Sequence, residues 1–100
     1  MNLEVKISWA ASDGRAGSLS VLIKDKSKFT IGTAGNADIL LPRAQFPRLK
    51  IIELKCEVFP EGLNVVSYNE WAPPEVENLN ANQTRIKMDR CDFLLEYTQS

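Results

Sequence analysis

Apolar residues alternate with polar ones at a spacing of two from the start of this chain, and the alternation returns in short segments separated by turn-forming residues. Leu3, Val5, Ile7 and Trp9 occupy one phase, with Glu4, Lys6 and Ser8 on the other. That is the pattern of a strand with one buried face. Residues 10–17 are rich in small and turn-forming types, and Leu19, Val21 and Ile23 then resume the spacing. An opening antiparallel hairpin follows from this order. No stretch has the i, i+3, i+4 spacing of an amphipathic helix, so the alternation predicts an all-β sandwich of many short, mostly antiparallel strands.

The remaining strands follow by the same reading. Phe29 to Ile31 runs into Gly32, and the breakers Ala34-Gly35-Asn36 precede a short strand from Asp38 to Leu41. Residues 42–47 form a loop closed by proline at both ends, after which residues 49–59 and 63–66 make a hairpin around Pro60-Glu61-Gly62. The inward phase shifts between Ile51, Ile52 and Leu54, which predicts a β-bulge there. Residues 69–82 read as an irregular face with one short extended piece near Glu75 to Glu77. Residues 84–88 and 93–97 close the domain as strands around a turn at Asp89-Arg90. Lys24, Lys26 and Lys28 are read as charges that guard exposed strand edges.

With 100 residues, the chain fits one domain over its full length, 1–100, with a single core. Twelve basic residues against thirteen acidic ones leave a net charge of −1, which argues against nucleic acid as a partner. No apolar run reaches the length of a membrane span and the N-terminus lacks the pattern of a signal peptide, so the expectation is a soluble, cytoplasmic segment without membrane contact of its own. The chain has no histidine, and Cys56 and Cys91 have no CxxC partner. No metal or cofactor is therefore expected, and the two thiols are read as buried structural residues. The carboxylates are scattered, and no nucleophile elbow or phosphate-binding glycine loop is present, so the chain is read as a non-enzyme. A small β-fold enzyme is the remote alternative.

Phe29 to Leu41, FTIGTAGNADILL, resembles the signature of forkhead-associated domains, where an isoleucine-glycine-arginine turn precedes an Asp-Ile-x-Leu strand. The likeness in element order extends over nearly the whole chain. The ending Arg90-Cys91-Asp92-Phe93-Leu94-Leu95 is similar to that family's closing Gly-Asp-x-Ile turn and strand, with Cys91 in the place of glycine. The resemblance implies a forkhead-associated-like sandwich and a role in binding phosphothreonine peptides, with the phosphate held by arginine and serine and the peptide backbone fixed by a loop asparagine.

Several of those positions are altered here. Thr33 stands where the arginine follows the glycine, and Pro47-Arg48-Leu49-Lys50 corresponds to a Ser-Arg-x-His segment, so the serine and the histidine are replaced by Pro47 and Lys50. Asn69, in Ser67-Tyr68-Asn69, matches the loop asparagine. Threonine cannot supply the bidentate, charged grip of a guanidinium, and proline offers neither hydroxyl nor N–H. The candidate ligand-binding loops thus comprise Thr33, Asn36, Arg43, Arg48, Lys50, Ser67, Asn69 and Trp71. Thr33 either donates to an anion or completes a turn, and Arg43, Arg48 and Lys50 either replace the lost cation or are solvated surface. Trp71, beside Pro73 and Pro74, either anchors a partner or covers one end of the sandwich.

The leading expectation is a phospho-independent protein-interaction or assembly module whose partner is a protein, with self-association open through strand edges. The alternative is a phosphothreonine reader with a non-standard cation. The resemblance suggests a setting as well: the cytoplasmic domain of an inner-membrane ring component in bacterial type III secretion, which would make the parent chain membrane-anchored. An excised domain and a complete small adaptor both fit the sequence.

Overall fold

The computed structural model describes residues 2–24, 27–46, 53–68, 74–88 and 90–99, and its secondary structure is almost entirely β. The strands are β1 (Asn2–Ala11), β2 (Ala16–Lys24), β3 (Lys28–Gly32), β4 (Ile39–Leu40), β5 (Glu53–Phe59), β6 (Gly62–Tyr68), β7 (Glu75–Asn80), β8 (Gln83–Met88) and β9 (Cys91–Gln99). They form two sheets, one ordered β2-β1-β9-β8-β7 and the other β4-β3-β5-β6. Every pairing is antiparallel except that of β3 with β4. The predicted all-β sandwich of mostly antiparallel strands is the observed architecture.

The period-two phase dictates the core. Leu3, Val5, Ile7 and Trp9 of β1 and Cys91, Phe93, Leu95 and Tyr97 of β9 are buried on one side of the first sheet. Phe29, Ile31, Leu54, Cys56, Val58 and Leu63 of the second sheet join the same cluster. Both cysteines are free thiols and both are buried, as expected. Burial in apolar surroundings pushes the Cys56 thiol up to about 12, which makes it an inert packing residue rather than a nucleophile.

Several local expectations are corrected. The short extended piece expected near Glu75 to Glu77 is a six-residue strand, β7, and all six of its residues are exposed, so no alternation marks its full length. The Asp38 to Leu41 strand is limited to Ile39–Leu40. A 3-10 turn, Arg43–Gln45, occupies the loop after Pro42. Residues 51 and 52, where the bulge was expected, lie outside the described residues. A bulge is present farther along, between Lys55 and Cys56, where Val66 is the extra residue on β6. Lys28 begins β3 opposite Glu57 of β5, and β4 pairs with β3 only at Ile31 and Gly32. Lys26 lies outside the described residues.

Asn78 ties the two sheets together where β7 faces β6. Its side-chain oxygen accepts the Leu63 N–H at 3.0 Å, and its side-chain NH2 donates to the Leu63 carbonyl at 3.0 Å. The amide thus does for Leu63 what a neighbouring strand would do. The same oxygen accepts from Thr84 Oγ1 at 2.6 Å, and Thr84 pairs with the Tyr97 hydroxyl at 3.0 Å inside the core. Gly62 makes room for this: a Cβ there would lie 2.7 Å from Asn78 Oδ1.

Replacing Asn78 with alanine leaves the Leu63 N–H and C=O without these partners. We expect Asn78→Ala to lower unfolding stability by about 1–3 kcal/mol, the usual cost of orphaned polar groups. An unchanged urea midpoint and slope for this variant would show that the amide bridge contributes nothing.

Candidate functional groove

The residues between β3 and the 3-10 turn are held by a side chain rather than by sheet pairing alone. Asp38 Oδ2 accepts from the Thr30 N–H at 2.9 Å and from Thr30 Oγ1 at 3.3 Å, while Thr30 Oγ1 accepts the Asp38 N–H at 3.1 Å. This reciprocal clamp closes residues 31–37 into a fixed excursion. Ala37 N–H bonds back to the Ala34 carbonyl at 3.0 Å, and Leu41 N–H to the Gly32 carbonyl at 2.7 Å. The Asp-Ile pair noted in the sequence therefore has a structural explanation.

The following turn is latched to the opening hairpin. Trp9 Nε1 donates to Gln45 Oε1 at 2.9 Å, and an Arg15 NH group donates to the Gln45 carbonyl at 3.2 Å. The Arg15 guanidinium, which also bonds Asp13, lies 5.3 Å from the centre of the Phe46 ring. Phe46 is fully buried and stacks with Phe93 at 5.7 Å, with Trp9 set against both rings at 6.2 Å.

Between the latch and β2 lies an open groove of about 460 Å3, bounded by Trp9, Gly17, Ser18 and Leu19 on one side and by Thr33, Leu40–Arg43 and Gln45 on the other. The fold brings Thr33 and Arg43 together here. Thr33 is buried, whereas Arg43 and Leu40 are exposed. Arg43 is the one cation among the described lining residues, and the other groups are mostly apolar. Asn36 is exposed in the preceding turn and does not line the groove. Ser67 lies on β6 opposite Lys55, which itself pairs with Thr30, so β5 lies between it and Thr30. Arg48, Lys50, Asn69 and Trp71 lie outside the described residues.

Chemically, the groove suits an apolar side chain better than an anion. Phosphate recognition normally gathers several charge-assisted donors around three oxygens. Trp9, Leu40 and Gln45 were not singled out as groove residues from sequence, because their positions depend on contacts between residues far apart in the chain. Among the described residues, no group of acidic, cysteine or histidine side chains is placed to hold a metal, and no helix is long and apolar enough to cross a membrane. No protein family, curated protein or solved structure matches the chain.

The latch separates two neighbours in sequence by their roles. Arg43→Ala is expected to change stability by less than about 0.5 kcal/mol, as at an ordinary surface position. Gln45→Ala, which leaves the Trp9 indole N–H without its acceptor, is expected to cost about 1–3 kcal/mol. Equal urea midpoints for the two variants would contradict this account of the turn.

Proposed function

We propose that this chain is a non-catalytic protein-interaction or assembly module of forkhead-associated-like fold, which binds without requiring phosphate. The observation that carries the proposal is the composition of the groove between Thr33 and Arg43. Thr33 occupies the position at which the resemblance calls for arginine, its side chain is buried, and the surrounding wall is mainly apolar. Binding there rests on apolar contact and on hydrogen bonds at the rim, with Arg43 as the single described charge.

The order of elements supports the forkhead-associated-like reading. A β1-β2 hairpin is followed by β3 and its Gly32 turn, by the Asp38-anchored β4, by the β5-β6 hairpin, and by a terminal strand that includes Asp92 and Phe93. From the resemblance alone, the setting proposed for such a module is the cytoplasmic side of a membrane-anchored ring assembly of the type III secretion kind.

The second reading, a phosphothreonine reader with a substitute cation, is favoured by one feature: Arg43 lies in the same groove as Thr33. Titrating the isotopically labelled protein with a phosphothreonine peptide and its unphosphorylated counterpart separates the two. The proposal expects no phosphate-dependent amide shifts at residues 32–36 or 43–46. Saturable shifts with the phosphopeptide alone, abolished by Arg43→Ala, would overturn it in favour of the reader.

A further inference from the structure

A sandwich of two open sheets has four edges, and here they are not alike. β4 is only two residues long. β6 is bulged at Val66, and Asn78 occupies the outward N–H and C=O of its Leu63. β7 carries Glu75 and Glu77 and has a pairing irregularity between Asn78 and Asn80. These are the devices by which natural sheets prevent edge-to-edge pairing.

β2 has none of them. It is nine residues long, Ala-Gly-Ser-Leu-Ser-Val-Leu-Ile-Lys, with no proline, and it pairs with β1 in unbroken register. Its one ionisable residue, Lys24, is at the end. Among the described residues, no strand lies on its outer side.

Hydrogen-bond parity identifies the groups available on that side. The Ala11 N–H bonds the Arg15 carbonyl at 2.9 Å, which makes Trp9–Gly17, Ile7–Leu19, Val5–Val21 and Leu3–Ile23 the bonded pairs of the hairpin. The Tyr97 N–H to Asn82 carbonyl bond fixes the same parity from the far side: odd residues of β9 face β8, even ones face β1, and the odd residues of β1 are left for β2. The backbone groups of Ala16, Ser18, Ser20, Leu22 and Lys24 therefore point away from the sheet. On the inner face of the same strand, Leu19 and Val21 are only partly buried. On the outer face, Leu22 is 48% exposed.

We propose that the chain self-associates through β2, which pairs antiparallel with β2 of a second copy about a two-fold axis at Ser20. This deepens the assembly reading above, on which it rests, by naming the partner. The strand is complementary to itself. The register centred on Ser20 is the one that pairs all nine residues, and it sets Ser18 against Leu22, Leu19 against Val21 and Gly17 against Ile23. Roughly ten backbone hydrogen bonds form, two for each outward-facing pair. Lys24 meets Ala16, so no like charges oppose each other across the seam. A neutral edge of this kind has no charge with which to select an acidic or a basic peptide, and β2 is itself a neutral strand of matching length. The two five-stranded sheets then continue as one, with the partly buried Leu19 and Val21 covered across the axis. The strip is narrow for a protein interface, so the dimer is weak and forms at high local concentration.

Sedimentation velocity of the intact chain from about 10 μM to about 1 mM, the range over which a small interface assembles, tests the proposal. The expected result is an average mass that rises with concentration from one chain towards two. Ser20→Pro removes an N–H that only the dimer uses, at an edge position where proline is tolerated, and should weaken association at least about tenfold. Ser20→Lys and Ser20→Glu each place like charges together at the axis and should weaken self-association, whereas an equimolar mixture of the two should restore it. Urea midpoints close to that of the parent chain establish that the variants are folded.

A folded parent chain that stays monomeric across the range overturns the proposal, as does a dimer indifferent to all three substitutions or a charge-swap mixture that fails to re-form. The outcome is separable from that of the phosphopeptide titration. A monomer without phosphate-dependent shifts removes β2 pairing and leaves the phospho-independent reading in place. Phosphate-dependent shifts in a chain that dimerises through Ser20 remove only the latter.

Discussion

Trp9 is the side chain on which both the groove and the free edge depend. It sits in β1 on the inward phase, crosses Gly17 of β2, packs against Phe46 and Phe93, and gives its indole N–H to Gln45. Four separate parts of the chain meet at one ring system. The crossing requires glycine at position 17, because a Cβ there would collide with the indole. That combination keeps the first turn of β2 slim and flat against β1, and it holds the 3-10 turn close enough to β2 to leave a groove rather than a gap. Aromatic clusters of this kind contribute both apolar area and preferred ring geometry.

The second constraint is the treatment of backbone groups at the sheet margins. Asn78 acts as one residue's worth of strand for Leu63, Asp38 fixes the excursion between β3 and β4, and bulges or carboxylates interrupt β6 and β7. Side chains that satisfy or block edges recur on the β6-β7 side and at β4. Among the described residues none does so along β2, and this difference within one molecule is the basis for assigning β2 a pairing role.

Much of the architecture is legible in the sequence, for a clear physical reason. β1 and β9 are central strands with one buried face each, so their period-two alternation is strong, and Leu3, Val5, Ile7 and Trp9 are all found in the core. β7 carries no such signal over most of its length, because an edge strand with every residue exposed has no reason to alternate. The groove was legible only in part. Thr33 and Arg43 stand out by residue type and do line it, but Gln45 owes its role to Trp9, 36 positions away, and no local pattern announces such a bond. The same applies to Asn78, whose partner Leu63 lies 15 positions away in the chain.

Whether β2 offers its backbone edge to a second copy is read most directly from residue-resolved amide hydrogen exchange at low and high protein concentration. An alternating response along β2 is expected: Ser18, Ser20, Leu22 and Lys24 exchange quickly when dilute and become protected when concentrated, while Leu19, Val21 and Ile23 are protected throughout. Rapid exchange of the four outward amides at every concentration, in a chain whose β1 amides remain protected, would contradict it.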